Sequence, residues 1–311
     1  MEDNVNIKRN SPARGNKTMF FFLLYLIVVA PVFTAIFMLA GLDVESMFVW
    51  PIMYVFLFFV PFLFYLIFTR QKHKAVLKWK PLGKTNALLV IGLTIATIPI
   101  IQIINRLSAL IFFPLINDFL LDISAYPLWF SLLAIAVLPA LFEEFMVRGA
   151  LYTEFERLPI KKIALITGLF FGIMHMNFHQ AIYAAVIGVL YAYILFYTQT
   201  IWAPILMHFV NNGIAVVFAY SAPYNAWATE IWENLPMFLL VYGSLSLVLL
   251  PVFILCLKKL KAGAALPSKE AEECAEEAEK PKEKVFTWAF WATLALFLIV
   301  GGLMEFGLRA L

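Results

Sequence analysis

The chain has 311 residues, 63% of them hydrophobic and only 14% charged, and its mean hydropathy is +0.88. That balance excludes a soluble globular domain and describes an integral membrane protein. The net charge of +3 decides little, because in such a protein the distribution of Lys and Arg among the loops carries the information. Two cysteines, Cys256 and Cys274, are too few for a disulfide framework or a thiolate metal site.

Apolar runs of about 20 residues, enough to cross a roughly 30 Å hydrocarbon core as helix, recur along the chain. They predict spans at 19–41, 48–69, 86–104, 127–150, 163–176, 179–198, 201–220, 235–257 and 285–308. The first run follows Lys8, Arg9, Arg14 and Lys17, as a signal peptide would. It is too long for a signal core and no A-x-A-like site closes it, so it reads as a retained span. Segment 105–126 is apolar but broken by Pro114, Asn117, Asp118 and Asp122, and reads as an interfacial helix or another membrane element. The polar stretch 258–284 reads as a charged cytoplasmic linker.

The fold class expected is therefore all-α, a polytopic transmembrane helical bundle of eight or nine spans. Its expected divisions are 1–126, N-terminal spans and interfacial segment; 127–216, a core; 217–257, a C-terminal core span; 258–284, the linker; and 285–311, an appended span. Basic residues gather at the N-terminus, in 70–84, in 157–162 and in 258–284. The alternate connections, around Asp43 and Glu45, around Asp118 and Asp122, and at 220–234, carry almost none. The positive-inside rule then places the N-terminus in the cytoplasm. Compact loops without sorting signals suggest a bacterial plasma membrane. The expected partners are the lipid bilayer and a membrane-associated peptide or protein, with no nucleic acid.

The stretch "ALFEEFMVRGA", 140–150, sets Glu143, Glu144 and Arg148 into one of the most apolar neighbourhoods of the chain. An ionised side chain at the centre of a span costs about 2.5–3.5 kcal/mol, so three in six positions require partners or a wet cavity. Glu144 and Arg148 stand four apart, where a Glu and a following Arg meet on one helix face. Glu143 points roughly 100° away and is left with no local counter-charge.

Later spans carry "FFGIMHMNFHQ", with Phe171 and His175 four apart, and "WAPILMHFVNNG", with His208 and Asn212 four apart. His73 lies in a basic loop. His179, just past a short span, and Asn211 read as packing or capping residues. A free Glu, a His and a His/Asn pair on three membrane helices are a base, an electrophilic partner and hydrogen-bond donors. Water activation and oxyanion stabilisation need such a set.

"EEFMVR", "FGIMH" and "HFVNN", in that order, resemble the E-E-x-x-x-R, F-x-x-x-H and H-x-x-x-N/D motifs of the CPBP intramembrane proteases, which include the type II CAAX prenyl endopeptidases. The likeness extends over roughly 127–216. The resemblance implies a helical intramembrane endopeptidase open toward the cytoplasmic half of the bilayer. Carried onto this chain, Glu143 would be the general base on a water held with His175, and His208 and Asn212 would donate to the oxyanion. Glu144 and Arg148, with Phe171 in support, would hold the helices in register.

Other readings stay open at this point. Glu143, His175 and His208 are adequate ligands for a catalytic Zn²⁺ with water in the fourth position, although H-E-x-x-H is absent. A transporter could use the Glu/His set for proton coupling, but the symmetry-related broken helices it predicts are not found. A non-catalytic immunity or scaffold protein would keep the motifs without turnover.

Overall fold

A computed structural model of the chain describes residues 10–43, 46–114, 122–221, 226–264 and 284–310, and all regular elements among them are helical. Helix α1, Pro12–Leu39, begins well before the apolar run. Ser11 caps it, its Oγ accepting from the Arg14 N–H at 3.2 Å, with Pro12 in the first turn where a missing N–H costs nothing. Helix α2, Trp50–Thr69, follows, then the short α3, His73–Leu77, and α4, Lys84–Ser108. A 3₁₀ turn at Asp122–Ala125 leads into α5, Leu128–Phe155. Next come α6, Ile160–Ile173; α7, Phe178–Thr198; α8, Trp202–Ser221; and α9, Ala226–Glu233. Helices α10, Leu235–Ala262, and α11, Trp288–Ala310, complete the bundle.

Among the described residues, eight helices are long and apolar enough to span a membrane: α1, α2, α4, α5, α7, α8, α10 and α11. The ninth expected span, 163–176, is the 14-residue α6. At 1.5 Å per residue it is about 21 Å long, short of the roughly 30 Å core. The linker expected from 258 begins later, because Lys258, Lys259 and Lys261 form the last turns of α10, which ends at Gly263. No breaker stands between Lys258 and that glycine, and cations suit a helix C-terminus. The loop residues Glu45, Asn117 and Asp118, the N-terminal Lys8 and Arg9, and most of 258–284, Cys274 included, lie outside the described residues.

Lipid tails are as apolar as leucine, so helices in a membrane associate through close packing and hydrogen bonds. Helices α6 and α7 form the tightest pair, through a GxxxG sequence, Gly168 and Gly172, that the motif reading passed over. A Cβ at Gly172 would lie 2.5 Å from the Ala181 carbonyl oxygen, and one at Gly168 would lie 2.8 Å from the Val189 nitrogen. Helix α10 packs on α4, and α11 packs on α1 and touches Phe170 and Phe178 through Phe290 and Phe297.

Two spans change from π to α geometry around a proline. In α2 a π turn at Val55–Phe59 precedes Pro61, and in α5 one at Leu132–Val137 precedes Pro139. A proline lacks the N–H that would bond the carbonyl four residues back, so wider turns and side chains from neighbouring helices take up the loosened carbonyls. Tyr25 of α1 donates at 2.7 Å to the Phe56 carbonyl, five residues before Pro61 in the wider π register, and Asn212 of α8 donates at 3.0 Å to the Ile135 carbonyl, four before Pro139.

Candidate active site

The polar centre of the bundle is built on α5, where Glu143 and Glu144 end an α segment and Arg148 lies in a second π segment, Phe145–Leu151. All three are buried. Glu144 binds Arg148 through Oε2 at 3.3 Å from Nε and Oε1 at 3.4 Å from Nη1. The guanidinium also donates from Nη2 to the Gly188 carbonyl at 2.7 Å. Its carbon lies 4.4 Å from the centre of the Phe171 ring and 5.2 Å from that of Tyr191. The absence of a side chain at Gly188 admits this cation, since a Cβ there would sit 3.1 Å from Nη2. A buried charge is tolerable only when paired and hydrogen-bonded, and Arg148 has a carboxylate, a carbonyl and two aromatic faces.

Glu144 has a second partner that its helical spacing did not reveal. His208 of α8 places Nδ1 at 3.0 Å from Glu144 Oε1. The His208 ring lies 5.6 Å from Phe171 and 5.7 Å from Tyr191, centre to centre. One carboxylate thus joins α5 and α8, while Arg148 joins α5 to α7.

Glu143 turns away from this network, as the 100° offset predicts. Its Oε1 accepts a long hydrogen bond, 3.5 Å, from the Tyr54 hydroxyl of α2, and its buried Oε2 has no hydrogen-bond partner among the described residues. Glu143 lies within Coulombic reach of His208, Glu144 and Arg148, and Tyr183 of α7 lies within reach of Glu143.

His175 follows α6 in the turn to α7. Its Nδ1 lies 2.7 Å from the Phe171 carbonyl, which can only accept, so the neutral ring holds its proton on Nδ1 and presents the Nε2 lone pair. Phe171 stands between the two histidines, 5.4 Å from His175 and 5.6 Å from His208. Asn212 gives one amide hydrogen to the Ile135 carbonyl and accepts from Asn211 Nδ2 at 3.2 Å, leaving its second amide hydrogen for another acceptor. Asn211, read from sequence as packing or capping, therefore orients Asn212. His179 bonds the Asn105 carbonyl at 3.2 Å, away from this centre.

Sequence reasoning missed Tyr54, Tyr183, Tyr191 and Gly188. Each sits in an apolar run with no local pattern to mark it. Pro139 was a legible signal, since a proline inside a predicted span announces a loosened carbonyl that a neighbouring side chain will seek. The zinc reading needs Glu143, His175 and His208 around one point. Among the described residues no group of three or more His, Cys, Asp or Glu side chains is placed to hold a metal ion.

Residues 125–214, under a third of the chain, match the family model described as type II CAAX prenyl endopeptidase Rce1-like. The matched segment contains all three motifs and supports the resemblance drawn from them. No match was found among curated proteins or among solved structures.

Proposed function

We propose that this chain, whose residues 125–214 are of the Rce1-like type II CAAX prenyl endopeptidase family, is an intramembrane endopeptidase that hydrolyses a peptide bond of a membrane-associated or lipidated peptide or protein. The observation that carries the reading is the contrast between two adjacent buried carboxylates. Glu144 is committed to Arg148 and His208, whereas Glu143 keeps an oxygen free in a polar centre.

Amide hydrolysis needs a base to take a proton from water as its oxygen adds to the carbonyl carbon, and donors for the oxyanion that forms. Glu143 Oε2 is the base, and Tyr54 holds the other carboxylate oxygen. His175, fixed with its Nε2 lone pair outward, accepts the water's second hydrogen and orients it. Asn212 donates its remaining amide hydrogen to the oxyanion. His208 donates from Nε2 when both ring nitrogens carry protons, with Glu144 as its counter-charge. The proton taken by Glu143 then passes to the leaving amine. The distribution of basic loops supports a cytoplasmic N-terminus and a cytoplasmic α5–α6 connection.

The test is cleavage of a membrane-peptide library by the purified, detergent-solubilised protein, wild type against Glu143→Gln, with and without a strong chelator. Cleavage that requires Glu143 and survives chelation is expected. Cleavage lost on chelation and restored by Zn²⁺ would overturn the metal-free mechanism, and cleavage unchanged by Glu143→Gln would overturn the assignment of the base.

A further inference from the structure

Span α2 ends at Thr69 and α4 begins at Lys84, while α7 ends at Thr198 and α8 begins at Trp202, and the two connections between them touch. Between them lies an open cavity of about 620 Å³ lined by Lys74, Lys78, Trp79, Lys80 and Gln199. It is separate from the polar centre described above and takes no part in the proposed hydrolysis.

Its walls are two connections held together. Thr200 Oγ1 donates to the Lys80 carbonyl at 2.5 Å, and the Ile201 N–H donates to the Lys78 carbonyl at 3.4 Å. Lys78 and Gln199 both adopt left-handed backbone conformations, with φ of 46° and 52°. Non-glycine residues populate that region sparsely, and they persist there when surrounding structure over-determines them. Trp79 packs against Trp202 at 5.3 Å and Phe145 at 5.6 Å, and its indole N–H donates to His73 Nδ1 at 3.3 Å.

The charge in the cavity is unbalanced. Lys78 pairs with Glu156 at 2.5 Å and lies over the Tyr152 ring. Lys74 and Lys80 are exposed and have no acidic partner among the described residues. Indole rings collect at the headgroup level of a bilayer, and clustered lysines immediately before a span attract anionic lipid.

We propose that this cavity binds the phosphate of an anionic phospholipid headgroup, held by Lys74 and Lys80 with Trp79 and Trp202 at the acyl boundary. The four span ends place it where such a phosphate lies, and two uncompensated cations match its charge. An acidic peptide would match the charge but makes no use of the indole pair, which favours the lipid.

The experiment is native mass spectrometry of the purified full-length protein released from vesicles of equal phosphatidylglycerol and phosphatidylcholine. Three proteins are compared: wild type, Lys74→Gln/Lys80→Gln, and the control Lys161→Gln/Lys162→Gln, which removes equal charge outside the cavity. Retained phosphatidylglycerol should exceed phosphatidylcholine in wild type and control. It should fall by about fivefold per lysine removed in the cavity variant. Addition of inorganic phosphate distinguishes sources, since displacement at millimolar concentration would mark a free-anion site and overturn the lipid assignment. Equal retention in all three proteins, an equal fall in both variants, or displacement of the lipid by a poly-glutamate peptide would overturn it as well. The readout is independent of cleavage, so its failure leaves the proteolytic reading standing.

Discussion

Glu143 and Glu144 are neighbours in sequence with different surroundings, and that difference makes them separable by mutation. Glu143→Gln preserves shape and removes the base, so turnover should fall by about 10²–10⁴-fold with little change in thermal stability. Glu144→Gln leaves Arg148 buried without its counter-charge and should destabilise the protein by about 3–5 kcal/mol, read as a lowered midpoint in a thermal aggregation assay. A pair of variants with the opposite pattern, Glu143 structural and Glu144 tolerant, would refute the division of labour. Tyr54→Phe tests the orientation of the base. It deletes the single hydroxyl donor at Glu143 Oε1 while keeping the ring stacked on Phe58 at 5.3 Å. Cleavage rate should drop several-fold with an unchanged melting midpoint, and an unaltered rate would remove Tyr54 from the site.

Among elements, the α6–α7 hairpin depends on glycine for its geometry. The hairpin carries Phe171 and His175, and Gly172 has no room for a methyl group beside the Ala181 carbonyl. Gly172→Ala should therefore cost about 1–3 kcal/mol and lower the melting midpoint, while Gly302→Ala, with nothing within 4 Å of its Cβ, should leave it unchanged. Equal midpoints for the two variants would show that the hairpin tolerates separation. The π segments of α5 belong to this scale too. Pro139 loosens the helix at Ile135, Asn212 answers, and one amide thereby acquires both a structural bond and a fixed direction.

For the molecule as a whole, the beginning of α1 is tied to the far end of α5. Glu154, fully buried, accepts from Arg14 Nε at 2.9 Å, the Ser11 N–H at 3.1 Å, the Tyr65 hydroxyl at 2.6 Å and Gln71 Nε2 at 3.2 Å. Asn16 donates to the Val285 carbonyl at 2.7 Å, joining the same helix to the approach to α11. These bonds tie the start of the chain's first helix to elements 140 and 269 residues further on. Arg14→Met should lower stability by roughly 1.5–3 kcal/mol, the range for hydrogen bonds to a charged group, measured as a thermal midpoint. Cleavage per folded molecule should stay the same, because Arg14 is remote from the proposed chemistry; a specific loss of turnover at equal folded fraction would contradict that.

The membrane class, eight of the nine span positions, the Glu144–Arg148 pair and the lack of a partner for Glu143 one helical turn away are legible in the residues alone. Hydropathy and i,i+4 spacing are properties of one helix, and a helix in lipid must satisfy its own backbone, so both are legible along the chain. That Glu144 also holds His208, that Asn212 bonds the Ile135 carbonyl, that Tyr54 faces Glu143 and that α6 is short emerge only once the helices are packed together. Those outcomes depend on which faces of different helices meet and at what depth. That relation arises from close packing at small residues and from polar groups seeking partners where water is scarce, and no periodicity within a single segment encodes it.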